Sequence, residues 1–283
     1  MNWISRQFST RVIVLIPVAI AINIVLGATV QQALKLPIYL DSIGTILVGV
    51  LAGPLAGLVT GALANLIWGY LLPPPIGTTT IGPFAITAAV IGVLAGFWGQ
   101  LGLFRSRKGD PGRAAIGAVI AVIIVGGVAL YTYGRAYAST TAFNNNVFGS
   151  SAITLDQSRI FFFFVMVVFV ALIGWALFLR RDAGAVYAIG AGLITGIVAA
   201  IVSAPIAAIV FGGVTGSGVD ALVAAFRAGG DSLYASTLKQ GLLSDPLDKM
   251  ITSFVVFFII TSLSTRFVAR FPNGERAVAT EAK

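Results

Sequence analysis

Apolar residues run along this chain in long stretches, separated by short polar, glycine-rich or proline-rich segments. A helix needs about 20 predominantly apolar residues to cross a bilayer, and stretches of that order recur. Arg11–Val30 is the first. Ser42–Leu72, broken at Gly53–Pro54, is the second; Ile81–Leu103, Ala114–Tyr133, Ile160–Leu179, Gly184–Phe211 and Leu247–Thr265 follow. Between the last two lies Gly212–Pro246, rich in Gly, Ser and Asp, with two short amphipathic stretches at Val219–Ala228 and Leu233–Leu243. A basic start (Arg6, Arg11) before an apolar run has the form of a signal peptide. The run is long, however, and no small-residue cleavage site separates it from Gln31–Leu40, so it reads as a retained span. The pattern predicts an all-α integral membrane protein, a single polytopic domain over residues 1–283.

The second stretch decides the topology. As one helix it would be about 46 Å long at 1.5 Å per residue, long for one crossing and short for two. Gly53–Pro54 permits a tight turn, because proline lacks the backbone donor and clashes inside a helix. Two short spans joined there give eight crossings with both termini in the cytoplasm. The inside segments then hold Arg6, Arg11, Arg105, Arg107, Lys108, Arg113, Arg180, Arg181, Arg266, Arg270, Arg276 and Lys283 against Asp110, Asp182, Glu275 and Glu281. The outside holds Lys35, Arg135, Arg159, Arg227, Lys239 and Lys249 against six aspartates, which cancel. One unbroken span would put Arg105–Arg113 on the opposite side from Arg6 and Arg11. The excess of cytoplasmic cations in membrane proteins therefore favours two short spans or a re-entrant pair of the same parity.

Composition narrows the function. Of 283 residues, 58% are hydrophobic and 10% charged, with a mean hydropathy of +0.97. Soluble domains carry about 25% charged residues, so a soluble globular protein is excluded. The net charge of +8 belongs to loop anchoring rather than to nucleic acid binding. With no cysteine and no histidine, disulfides, thiol chemistry, His-metal sites and His general bases are excluded, and no cofactor or metal is expected. An enzyme is not expected either. A Ser–His pair is impossible, no Gly-x-Gly-Asp occurs, and Asp41, Asp220, Asp245 and Asp248 read as lying at helix ends or in loops rather than deep in helices.

Polar groups in or beside a span are costly and so are candidates for function. Asn23 sits inside the first span, as interhelical glue or as a ligand contact. Asp41 follows Tyr39 and opens the second stretch, as a first-turn carboxylate or a ligand contact. Asn65, Trp68 and Tyr70 lie toward the outer end of the third span; the two aromatics also suit an interfacial belt, whereas a buried amide needs partners. Thr80 ends a Thr triplet that can cap the next helix. Ser203 and Pro205 can weaken the Gly184–Phe211 helix. Gly212–Asp220 carries four glycines with Thr215 and Ser217, permitting an irregular path that membrane depth tolerates only against a cavity or under protein. Ser244-Asp245-Pro246-Leu247-Asp248-Lys249 reads as a helix start with acids in the first turn, or as part of a site with Asp41. Ligand contacts are thus expected from Asn23, Tyr39, Asp41, Asn65, Trp68, Tyr70, Thr80, Ser203, Ser217, Asp220 and Asp248. Gly49, Gly53, Gly57 and Gly61 recur every four residues, a ridge for internal packing or for docking a partner membrane protein.

The series Pro37-Ile38-Tyr39-Leu40-Asp41-Ser42-Ile43-Gly44-Thr45, Leu51-Ala52-Gly53-Pro54-Leu55-Ala56-Gly57 and Leu63-Ala64-Asn65-Leu66, then a Pro-rich loop, resembles the substrate-binding S components of energy-coupling factor (ECF) vitamin transporters. The similarity covers about residues 10–100, with Ser203–Ala207, the Gly-rich segment and Ser244–Lys249 also similar. The resemblance implies a small helical protein in a prokaryotic plasma membrane that holds a vitamin or related metabolite near its outer face. Transport would need a separate membrane coupling subunit and two ATPases; this chain has no nucleotide motif. The family usually has six spans, and the extra pair here falls at Ala114–Leu179. The family's alanines four apart on the first helix are not kept: Asn23 follows Ala19, Val25 follows Ala21 and Gln32 follows Ala28. A membrane sensor of the same fold, binding ligand without transporting it, and an autonomous secondary transporter are the alternatives. Six outer aspartates, and Asp41 beside Tyr39, admit a ring-bearing cation such as thiamine.

Overall fold

Gly53 and Pro54 reverse the chain. Gly53 has φ 120°, a conformation open in practice to glycine alone, and Pro54 occupies the first helical position, where its missing N–H costs nothing. One helix, α3 (Ile43–Ala52), ends there and the next, α4 (Pro54–Tyr70), begins after a single residue. The computed structural model describes residues 3–108, 111–138, 155–175 and 182–278. The other helices are α1 (Trp3–Gln7), α2 (Thr10–Gly27) running into a π-helical turn at Ala28–Ala33, α5 (Ala85–Gln100), α6 (Pro111–Ala138), α7 (Leu155–Gly174), α8 (Gly184–Phe211), α9 (Asp220–Ala228), α10 (Leu233–Ser262), α11 (Thr265–Val268) and α12 (Gly274–Ala277). No strand occurs among the described residues; the one β-bridge joins Lys108 to Asp182. Asp110, Arg180, Arg181, Glu281 and Lys283 lie outside the described residues, as does the end of the expected Ile160–Leu179 span.

Three helical stretches, Thr10–Ala33, Gly82–Gln100 and Gly184–Phe211, are long and apolar enough to cross a membrane. The other expected crossings fold as helices that are short, as α3 is at 10 residues, or that carry charge mid-length, as α10 does. The expected break at Pro246 is absent. α10 runs unbroken for 30 residues from its Ser232 cap, whose hydroxyl accepts the Ala235 N–H, so Leu233–Leu243 and Ser244–Lys249 belong to one helix. Tertiary packing overrides the local proline signal here. Gly192 and Gly196 of α8 lie against the backbone of Lys249 and Pro246, where any Cβ would collide, and this close antiparallel seam holds the helix through the proline.

Glycines also join α4 to α5. Gly57 meets the Gly92 carbonyl, Gly61 the Ala88 carbonyl, and Gly96 the backbone of Pro54. Gly49 lies against Ala95 and Gly92, and Gly53 against the Gln7 side chain. The four-residue glycine ridge is thus spent on backbone approach inside the bundle, as helices in lipid require. Trp98 of α5 donates its indole N–H to Thr195 of α8 at 2.9 Å, joining the α2–α5 group to the α8–α10 group.

The bundle has two ends. At one, Gln7 Oε1 accepts the Leu55 N–H at 2.8 Å, the Asn273 N–H donates to the Leu51 carbonyl at 2.8 Å, and Arg276 donates to the Gln100 carbonyl at 2.9 Å. Both open helix ends left by the Gly53 turn are satisfied by residues distant in sequence. Asp182 gathers the Arg107 and Gly184 N–H groups at 2.7 and 2.9 Å and the Ser106 hydroxyl. Lys108 and Asp182 therefore join the chain at the two ends of the α6–α7 segment, and α6 packs against α8, α9 and α10. At the other end lie Leu34–Ser42, the Pro73–Ile81 loop, Gly212–Val219 and the start of α10.

Candidate ligand-binding site

Between Ala33 and Ile43 the backbone follows no regular helix and turns through two left-handed residues, Lys35 (φ 50°) and Leu40 (φ 53°). Positive φ at non-glycine residues costs energy and persists only where surroundings enforce it. Here the enforcement comes from α10: Asp248 Oδ1 accepts the N–H groups of Tyr39 and Leu40 at 3.0 and 2.7 Å. Its other oxygen takes the Lys249 ammonium, which also donates to Ser42 Oγ at 2.8 Å and lies 3.6 Å from Asp41. Asp41 in turn accepts from Gln31 at 3.0 Å. Asp248 and Lys249 are buried, and together they pin the irregular segment onto α10.

That segment, with α4, α5, α8, α10 and the glycine loop, encloses a cavity of about 360 Å³. This lies within the range of small-molecule sites, about 300–1,000 Å³. Of the residues singled out from sequence, Tyr39, Asp41, Asn65, Thr80, Ser203, Ser217 and Asp220 line it together. Tyr39 accepts a hydrogen bond from Gln240 at 3.1 Å. Asp220 accepts from the Thr215 and Gly216 N–H groups at 2.9 and 2.7 Å and from the Thr215 hydroxyl at 2.8 Å, and Ser217 pairs with Thr215 at 2.9 Å. Burial pushes the Asp220 carboxyl above the usual carboxylate range, and these hydrogen bonds oppose the shift. Lys35 donates to the Gly216 carbonyl across the mouth; burial lowers its ammonium, with Asp220 acting the other way.

Four of the expected contacts are placed elsewhere. Asn23 is spent on the backbone and on packing, donating to Thr45 Oγ1 at 2.8 Å and accepting the Gly44 N–H at 2.7 Å. Trp68 is buried against Gly27 and donates to the Ile76 carbonyl at 2.7 Å. Tyr70 is exposed and lies over Gly82. Asp248 sits behind the wall as the clamp described above. Lys249 lies 5.7 Å from the Tyr39 ring, so the protein itself places a positive charge beside Tyr39 and Asp41. The expected contacts leave out Gln31, Lys35, Thr87 and Gln240, which also line the wall, and of the Ser244–Lys249 segment it is Asp245 and Lys249 that reach it. Gln240, Ser244, Asp245, Asp248, Lys249 and Thr252 recur at helical spacing, a polar stripe of which Gln240, Asp245 and Lys249 line the cavity.

Two wall groups on the α4–α5 side have no partner within the protein. Thr87 Oγ1 is buried without a hydrogen bond. Among the described residues, the Asn65 amide, 6% exposed, likewise finds no donor or acceptor. Buried polar groups are rarely left unpaired, so the cavity presents hydrogen-bonding capacity the protein itself does not use. No protein-family model, curated protein or solved structure matches the chain.

Proposed function

We propose that the chain is a membrane-embedded binding protein for a vitamin-like small molecule and serves as the substrate-specific subunit of an ECF-type importer. The observation that carries this reading is the cavity lined by Asn65 and by the buried, unpaired Thr87 hydroxyl. Depth adds to it. Ten residues of α3 rise about 15 Å, half of a hydrocarbon core of about 30 Å. In a bilayer-spanning bundle the Leu34–Ser42 segment therefore reaches toward the midplane. Irregular backbone at that depth is tolerated where it lines a cavity or is covered by protein, and here both hold. Eight crossings or their topological equivalent, with the Gly53 end cytoplasmic, fit the clustering of Arg6, Arg11, Arg105, Arg107, Lys108, Arg266, Arg270 and Arg276 at that end.

The test is to purify the chain from membranes, denature it and identify any released small molecule by mass spectrometry, then repeat with Asn65→Ala. A stoichiometric metabolite retained by the wild type and reduced in the variant supports the reading; lipid alone in both refutes it. Co-expression with an ECF coupling subunit and its ATPases should then give ATP-dependent uptake of that metabolite. Binding without uptake would favour a sensor.

A further inference from the structure

We infer that the ligand of this cavity is an organic cation, and that Asp245 is the carboxylate that receives its positive nitrogen. The inference rests on the binding reading above and concerns the charge of what is bound.

The charges at the inner wall do not balance. Three acidic side chains, Asp41, Asp245 and Asp248, surround one ammonium, Lys249, so the acids outnumber the cation. The ammonium donates to Asp248 and Ser42 and lies 3.6 Å from Asp41, so its charge is turned toward the protein's own acceptors. Asp248 is fully used by Lys249 and by the Tyr39 and Leu40 N–H groups, and Asp41 accepts from Gln31 at 3.0 Å and lies 3.6 Å from Lys249. Asp245 is different. It is 5% exposed and lines the cavity, yet its hydrogen bond is a single long one from Ser203 at 3.3 Å, a hydroxyl that also reaches the Ala200 carbonyl at 3.3 Å. A buried carboxylate this poorly compensated is costly unless something pairs with it. The open space beside it is the cavity.

An independent feature points to the same occupant. Thr87 Oγ1, buried and unpaired, belongs to the same cavity from α5, and the buried Asn65 side chain lines it from α4. They offer a neutral hydroxyl and an amide that both donates and accepts. The wall set therefore suits a small molecule with a cationic centre at Asp245 and a polar, uncharged edge at Asn65 and Thr87.

The test uses the full-length purified chain incubated with an equimolar mixture of thiamine, choline, riboflavin and biotin, and native mass spectrometry to read which is retained. We expect retention of a cation, weakened about tenfold or more by Asp245→Asn, or about 1.4 kcal/mol at the least. Asp231→Asn, which alters an exposed pair with Lys239 away from the cavity, should leave retention unchanged. Thermal unfolding of the ligand-free variants separates function from structure. Asp245→Asn removes an uncompensated charge and should raise the unfolding temperature, whereas a carboxylate needed to hold Lys249 would lower it and overturn the assignment. Retention of riboflavin or biotin in place of both cations overturns the charge inference while leaving the binding reading intact. Retention of none of the four overturns both.

Discussion

Replacing Asp248 with asparagine isolates the clamp between α10 and the irregular segment. Asparagine keeps the shape and one acceptor oxygen, so the Tyr39 and Leu40 N–H groups keep a partner, and what is lost is the charge opposite Lys249. Removing one member of a buried ion pair typically costs about 3–5 kcal/mol, because the other charge is left stranded. Lys249 retains Ser42 at 2.8 Å and Asp41 at 3.6 Å, which places the expected cost at the lower end, about 3 kcal/mol. In a chain of this size each kcal/mol corresponds to about 2–4 °C, so the unfolding temperature should fall by about 6–12 °C. Intrinsic fluorescence of the four tryptophans during heating in detergent measures it. Adding Lys249→Met removes the stranded charge and should recover more than half the loss, a non-additivity that reports direct coupling. A loss below about 1 kcal/mol for Asp248→Asn, or a double variant as unstable as the sum of the single ones, would refute the clamp.

Gly57→Ala forces a Cβ onto the Gly92 carbonyl and should cost about 1–3 kcal/mol, whereas Gly190→Ala, open on every side, should stay within about 1 kcal/mol of wild type in the same unfolding assay. Asn65→Ala should weaken ligand binding about tenfold in equilibrium dialysis without lowering the unfolding temperature, because the amide holds nothing within the protein. A cysteine at Ala228 should react with an impermeant maleimide on intact cells and one at Glu275 only after permeabilisation, the native chain having no cysteine; the reverse pattern would invert the proposed orientation. Because burial raises the Asp220 carboxyl above its ordinary 3.8, the folded state holds a proton there that the unfolded chain releases. Its contribution to stability grows as pH falls through the raised value and is lost as pH rises through it. Asp220→Asn should flatten that part of the stability profile.

Much of the architecture was legible because lipid demands long apolar runs, and Gly53–Pro54 announced a reversal that only glycine and proline supply so tightly. Pro246 misled for a physical reason. Its local signal is a helix start, and what overrides it, the glycine seam on α8, lies some 50 residues upstream and becomes its neighbour only on folding. The cavity was half legible. Asp41, Asn65, Ser203 and Asp220 stood out as polar groups against apolar surroundings, and they converge. Asn23, Trp68 and Asp248 stood out in the same way but serve backbone groups: sequence reveals that a polar side chain needs a partner, not whether that partner is a ligand or a nearby N–H or carbonyl. For Ser244–Lys249 the sequence leaves two roles open, a helix start and a site with Asp41; the segment lies mid-helix, in the stripe that continues Gln240 and Ser244, and Asp245 and Lys249 line the cavity.

The hydrogen bond from Asn273 to the Leu51 carbonyl bears on how the protein is made. A ribosome delivers Leu51 early, and the α3–α4 hairpin is made while most of the chain is still unsynthesised. The carbonyl at its turn must then wait, hydrated or borrowed by another donor, until Asn273 emerges and is drawn back to it. Assembly of this bundle is therefore completed at its beginning, and truncation shortly before Asn273 should leave the α3–α4 turn as the loosest part of an otherwise folded bundle.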